Sequence, residues 1–324
     1  MKISSLVDIC AGTLLNTPAI SFVTQIHTNI TKVNDGDAYF ARSIVNVNRA
    51  LEQGAFAIIL QKNLYDKLDP FSIDTEIAWI LTDDLEKSIF KVLRFILASK
   101  KLNIYSIDIV EFYLIDCFKN KDMNNLLILN NDITSDFEQL VTIEENFNIF
   151  GVNRGFLNYI YPQTKTIPKK RFVLKNLSLH SLFEVSFSNK NSYYEKIKLP
   201  HLYVNSLLNL LEYFPYEVDI KKLNSFNLFK PLFISKSACL VGYGQSNRFI
   251  ICQKNPQIYP LEISHLKKFF KYGIIKVIDF KKFSSQSIIE FLKYENFNAL
   301  YIKHTTKEHL QQILNTNCIQ DSLF

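Results

Sequence analysis

Glycine is scarce in this chain: eight residues among 324, with none between Gly54 and Gly151. A loop that wraps a phosphate needs glycines so that successive backbone N–H groups can turn toward the anion, a lysine for the outer oxygens and a hydroxyl for magnesium. No Gly-Lys-Thr or Gly-Lys-Ser step occurs anywhere, which excludes a nucleotide loop of that type. Apolar runs are short as well. None approaches the roughly eighteen residues of a membrane-spanning helix, and the opening MKISSLVDICAG has no sustained apolar core of the kind a secretory leader requires. The five cysteines (Cys10, Cys117, Cys239, Cys252, Cys318) are odd in number and contain no C-x-x-C pair, so neither a zinc site nor a disulfide framework is indicated. A reducing, cytoplasmic setting is the expectation. The net charge of +6 is spread along the chain instead of gathered in a stripe, which argues against a nucleic-acid partner. Tandem repeats and low-complexity tracts are absent.

What is present is an ordinary globular balance, 48% hydrophobic and 21% charged, in a chain long enough for two or three domains. The pattern is α/β throughout. Helical spacing of Ile3, Leu6, Val7 and Cys10 predicts a first helix, and strands are expected at 39–42, 56–60 and 77–81 with a helix at 44–53. Asp83 and Asp84 then cap a helix running to Lys100. A strand at 103–107 and a helix at 111–118 open the middle of the chain, and 171–187 reads as paired strands. Helices follow at 205–213 and 218–226. The last segment alternates strand 248–252, helix 261–272, strand 274–279, helix 285–295, strand 299–302 and helix 306–315, with Thr305 and Glu308 at capping-box spacing.

The segment 26–60 carries a resemblance. Val33, Gly36, Asp37, Phe40 and Ala41, followed by a helix closed by Glu52, Gly54 and Ala55, resemble the first domain of the ATP-dependent Mur ligases, the UDP-N-acetylmuramoyl peptide ligases of the MurE and MurF type. His201 and Asn205 keep the spacing of a second motif of that family, and Phe229-Lys230-Pro231 echoes a third. The resemblance implies three consecutive α/β domains in Mur-ligase order, at 1–100, 101–235 and 236–324, the central one shortened. It also implies a degenerate homologue. Asn29, Ile30 and Thr31 stand where the family holds its UDP-sugar with Asp, Ser and Arg, and Asp108-Ile109-Val110 stands where the phosphate loop belongs.

The expected function is therefore a non-catalytic binding or scaffold protein in cytoplasmic peptidoglycan-precursor synthesis or cell-shape control, with no catalytic residues, metal or cofactor. Its expected partner is a UDP-muramoyl peptide or another peptidoglycan-synthesis protein, held near Thr28, Asn29, Asp37, Ala41 and Arg42, with His201 and Asn205 as further candidates that also fit a structural brace. Two other readings stay open. One is a divergent ligase using ATP and magnesium, with Gly242, Gly244, Ser246 and Asn247 as a weak phosphate loop, although a turn between strands accounts better for that cluster. The other is a peripheral membrane or assembly adaptor using His265, Lys267, Lys268, Lys271, Lys276, Lys281 and Lys282, interleaved with Phe269, Phe270 and Tyr272, for which a solvated helix face is the simpler explanation. His304 and His309 straddle a helix start, poor geometry for a shared metal.

Overall fold

The computed structural model describes residues 1–70, 73–190 and 192–321, with side chains to residue 316. It divides into two compact units, Met1–Ile107 with Asp122–Ile167, and Asp108–Lys121 with Pro168–Phe324. The first unit takes in all of the expected first domain and part of the expected second.

In the first unit, α1 (Ile3–Cys10) leads into β1 (Thr13–Leu14), β2 (Ile26–His27), β3 (Ala38–Phe40), α2 (Ile44–Glu52), β4 (Ala57–Gln61), α3 (Lys62–Tyr65), β5 (Ala78–Thr82) and α4 (Leu85–Leu97). The strands form one sheet in the order β1-β5-β4-β3-β2, parallel except at β1. Ala57, Ile58, Ile59 and Leu60 are all buried, because a parallel strand is covered on both faces and so reads as a continuous apolar run. Ser43 starts α2 by accepting the Asn46 N–H at 3.3 Å, and Asp84 starts α4 by accepting that of Lys87 at 3.0 Å.

A second parallel sheet, ordered β7-β8-β6-β9, is made from β6 (Asn103–Ser106), β7 (Leu126–Ile128), β8 (Asn148–Gly151) and β9 (Lys165–Thr166), with α6 (Ile133–Val141) and α7 (Arg154–Ile160) between its strands. Helix α4 supplies Ile89, Val92, Leu93 and Leu97 to a core shared with α1 and with strands of both sheets. None of the short strands β7, β8 and β9 is marked by a strong sequence pattern.

The backbone around Gly36 and Gly54 explains why those two residues stand where they do. Both have left-handed φ, +85° and +81°, and the Gly36 N–H donates to the Gly54 carbonyl at 2.9 Å. A Cβ on Gly54 would lie 2.5 Å from the Asp35 carboxylate.

The second unit begins with α5 (Ile109–Phe118) and continues with the antiparallel sheet β10-β11-β12 (Lys175–Leu179, Val185–Asn189, Ser192–Ile197), α8 (Val204–Tyr213) and β13 (Leu232–Phe233). The expected helix at 218–226 is a 3₁₀ helix, Ile220–Ser225, started by Asp219. A mostly parallel sheet, ordered β13-β14-β16-β15, uses β14 (Phe249–Gln253), β15 (Ile275–Asp279) and β16 (Ala299–Lys303), with α9 (Tyr259–Phe269), α10 (Ser285–Tyr294) and α11 (Lys307–Asp321). The cap of α11 falls one residue later than its spacing suggests. Thr306 accepts the His309 N–H at 3.2 Å, while the Thr305 hydroxyl meets the His309 ring.

Cys10, Cys117 and Cys252 are free thiols. The side chain of Cys318 lies outside the described residues.

Glu262 is wholly buried in this unit. It accepts from the Tyr203 and Tyr301 hydroxyls, each at 2.5 Å, and from the Gln253 amide at 3.3 Å. Burial outweighs these bonds and lifts its pKa to about 7.

Two outcomes follow from these positions. Gly54→Ala should destabilise the protein by about 1–3 kcal/mol, read as a lowered denaturant midpoint, because it combines a strained φ with a clash. A carboxyl whose folded pKa is raised contributes stability that is present below the ordinary carboxylate range and lost as pH rises toward about 7. Glu262→Gln should therefore gain thermal stability relative to the parent as pH is raised from about 5 to about 7.5, and a gap that stays flat with pH would contradict the assignment.

Candidate ligand cleft

In a parallel α/β sheet, ligands bind beyond the carboxyl ends of the strands, where the loops diverge. In the first unit that edge holds a cleft of about 560 Å³. Ala41 and Arg42 follow β3, Gln61 ends β4, and Asp83 and Asp84 follow β5. Asn63 and Lys67 close the side. Arg42 is exposed, and one guanidinium nitrogen donates to the Thr134 hydroxyl at 2.8 Å. Asp84 sits at the head of α4, where bonds from Lys87 hold its carboxyl below the ordinary range.

Beside this cleft lies a buried polar network. The Glu138 carboxylate, reaching from α6, accepts the N–H groups of Thr28 at 2.7 Å and Asn29 at 2.9 Å, the Thr28 hydroxyl at 3.1 Å and His27 Nδ1 at 2.9 Å. The Thr28 hydroxyl also lies 3.0 Å from the Thr134 carbonyl, so the network runs through Thr134 to Arg42. Asp37 accepts the N–H groups of Gln25 and Asn34, each at 2.9 Å. His27 Nε2 stands 3.4 Å from Asp37, near enough for charge but too poorly aligned for a hydrogen bond. Burial is the largest influence on Glu138 and would raise its pKa. The hydrogen bonds from His27, Asn29 and Thr28 together outweigh it, leaving the carboxyl below its ordinary value.

Of the residues expected at a ligand, Thr28, Asn29 and Asp37 are brought together, and Arg42 joins them through Thr134. Thr28, Asn29 and Asp37 each hold hydrogen bonds within the protein, Thr28, Asp37 and Ala41 are buried, and Arg42 is the exposed member of this group. His201 and Asn205 belong to the second unit. The His201 ring packs edge-on against Phe269, with its pKa lowered by burial and then by Lys268, and the Asn205 side chain accepts the Phe172 N–H at 3.4 Å. Gly242 to Asn247 forms a turn ahead of β14. The Gly242 N–H donates to the Gln245 side chain, and the Ser246 hydroxyl to the Ile234 carbonyl, so these groups are engaged locally.

Glu138 carries no sequence motif. Asp132 as a cap with apolar Ile133, Phe137 and Leu140 behind it marks the helix, but nothing in the pattern shows that the Glu138 carboxylate reaches a loop 110 residues earlier in the chain.

The junction at Asp108 is also fully built. The Asp108 carboxylate accepts the Glu111 N–H and the Glu111 carboxylate accepts the Asp108 N–H, both at 2.8 Å, and Lys169 pairs with Asp108 at 3.4 Å. Glu111 is buried, and burial followed by the Asp108 charge raises its pKa to about 7. The positive end of α5 is thus filled by the chain's own carboxyl groups. Among the described residues no group of three or more His, Cys, Asp or Glu side chains is placed to hold a metal, and no helix is long and apolar enough to cross a membrane.

No family model and no curated protein matches the sequence. The fold, by contrast, has solved counterparts. A MurF from Acinetobacter baumannii superposes with a TM-score of 0.56 at 8% identity, covering 98% of both chains. A MurF ligase from Thermotoga maritima, solved in complex with ADP, gives 0.57 at 10% identity over 92% of this chain and 99% of that one. A third, described as a UDP-N-acetylmuramoylalanyl-D-glutamyl-2,6-diaminopimelate–D-alanyl-D-alanyl ligase from Acinetobacter baumannii, gives 0.52 at 9% identity over 99% and 98%. The chain has the MurF fold. At such identities the match speaks for architecture alone, and in this chain Gly36, Asp37 and Gly54 fix backbone geometry.

The Glu138 network can be tested directly. Glu138→Ala should cost about 3 kcal/mol, because it strands two buried N–H groups and an imidazole. A carboxyl whose folded pKa is depressed gives stability that is present above the ordinary range and lost as pH falls through the folded value. The penalty measured by urea unfolding should therefore shrink at acid pH, and a penalty independent of pH would remove Glu138 from this role.

Proposed function

We propose that this protein is a non-catalytic Mur-ligase-like component of cytoplasmic peptidoglycan-precursor synthesis or cell-shape control, binding a UDP-muramoyl peptide in the cleft beside Arg42. The observation that carries the loss of catalysis is the head of α5. The resemblance places the phosphate loop at Asp108 to Val110, and the geometry there puts two carboxyl groups on the N–H groups that a phosphate would need. A triphosphate would meet like charge from Asp108, with the Asp108 and Glu111 N–H groups already taken. The MurF fold supports the setting in precursor synthesis.

The cleft suits such a partner in its charge. Arg42 and Lys67 offer cations to a diphosphate, Gln61 and Asn63 offer amide groups to a base or peptide, and Asp83, Asp84 and Glu86 face any amino group the peptide carries. The Glu138 network makes the cleft wall rigid before any ligand arrives, which lowers the ordering cost of binding.

Isothermal titration of the purified protein with a UDP-N-acetylmuramoyl peptide should show saturable binding without ATP. Arg42→Ala should weaken it by about tenfold or more, as expected for a lost charge-assisted contact. ATP-dependent ligation of an amino acid or dipeptide to that peptide, with release of phosphate, would overturn the reading.

A further inference from the structure

The second unit contains a cavity that the proposed function does not use. Its volume is about 430 Å³, within the range of small-molecule sites. One side is aromatic. Phe183 packs on Phe229 with ring centres 5.8 Å apart, and Phe233 packs on Tyr243 at 5.0 Å. Tyr243 is 68% exposed although it belongs to this aromatic group. It is held there by the turn at Gly242 to Gln245, in which Gly244 adopts a left-handed φ of +74°. The glycine pair therefore serves to present a tyrosine over the cavity, a role the bare glycine count did not disclose.

The other side is basic. Lys198, Lys230 and Lys307 line it, and Lys230 and Lys307 are half-buried. The Lys230 ammonium donates to a neutral carbonyl, that of Asn224, at 3.1 Å. Among the described residues no carboxylate forms an ion pair with any of the three lysines, although Glu184 is part of the same lining. Burial first, and then the neighbouring Lys230 charge, depress the Lys307 pKa, and the Glu308 charge offsets them only in part. A half-buried ammonium without a carboxylate partner is costly to keep, and an anion entering the cavity would offset that cost. A ring beside the anion would find Phe183, Phe233 and Tyr243 at stacking or edge-on distance.

We propose that this cavity is a binding site for a small planar aromatic molecule that carries a phosphate or carboxylate group. The ring lies among Phe183, Phe233 and Tyr243, and the acid group meets Lys230 and Lys307. The site requires both halves of its ligand. An anion alone lacks the stacking surface, and a neutral ring leaves the lysines uncompensated.

Phenyl phosphate, benzyl alcohol and inorganic phosphate, titrated into the full chain by calorimetry, test this. Saturable one-to-one binding of phenyl phosphate, about tenfold or more tighter than either half alone, is the expected result. The double variant Lys230→Ala, Lys307→Ala should lose about tenfold or more of that affinity, its fold being checked by circular dichroism. If that variant does not fold, salt decides on the unaltered protein: raising it from about 50 mM to about 500 mM should weaken phenyl phosphate and leave benzyl alcohol unchanged. Uridine and adenosine monophosphates separate the natural sources. Tighter binding than phenyl phosphate assigns the site to a nucleotide, and weaker binding assigns it to a smaller aryl acid. Equal affinity for phenyl phosphate and benzyl alcohol, the absence of saturable binding, or indifference to the lysine substitutions and to salt would overturn the proposal.

Discussion

A backbone N–H group taken out of water must find an acceptor, and this protein repeatedly supplies that acceptor from its own carboxylates. Glu138 serves Thr28 and Asn29, Asp37 serves Gln25 and Asn34, and Asp108 with Glu111 serves the head of α5. In each place a cluster of donors of the kind that elsewhere receives a ligand phosphate is closed from within. The arrangement has two consequences. It lets the loops at 27–37 stand rigid without a ligand, and it places negative charge where an incoming anion would have to go. A site of this kind favours architecture over turnover, which is why the proposed role is binding.

The same constraint accounts for residues that carry the resemblance in the segment 26–60. Gly36 and Gly54 have φ values that few other residues adopt without strain, and two backbone donors converge on Asp37. These are demands of backbone geometry, so they hold whatever the molecule binds. Residues whose only task is to touch a substrate have no such anchor. The Asn29 side chain accepts the Thr31 N–H and starts a short 3₁₀ turn, a local task set by the backbone.

The first unit's opening sheet was legible because each buried parallel strand is a compact apolar run and each helix start carries an acidic or hydroxyl cap, as at Ser43 and Asp84. The short strands β7, β8 and β9 were not, since strands of two to four residues leave too short a pattern to separate from a loop. The site divided in the same way. Thr28, Asn29, Asp37 and Arg42 could be named as candidates because they lie in or beside the segment that carries the resemblance. Glu138 escaped because its contact spans 110 positions and depends on how α6 packs, and Gln61 and Lys67 escaped because they sit just past strand β4, where side-chain direction is set by the fold. Tyr243 is a sharper case: the glycines flanking it signal a turn, and only the packing shows what the turn is for.

Internal use of carboxylates also changes the charge that the molecule presents. Of its 31 acidic residues, Asp37, Glu111, Asp136, Glu138 and Glu262 are buried. Two of these, Glu111 and Glu262, have pKa values raised to about 7 and are only partly ionised at neutral pH, so the effective excess of positive charge exceeds the formal one. Among the described residues Arg248 is the one fully buried cation, set against the carbonyls of Leu292 and Glu295, while Lys100 reaches the Val141 and Ile143 carbonyls from a half-buried position. Cations are therefore left to the cavity walls while anions are spent on the scaffold. The cavity lined by Lys230 and Lys307 and the cleft beside Arg42 both inherit this imbalance, and it is an attraction for anionic ligands that requires no conserved motif.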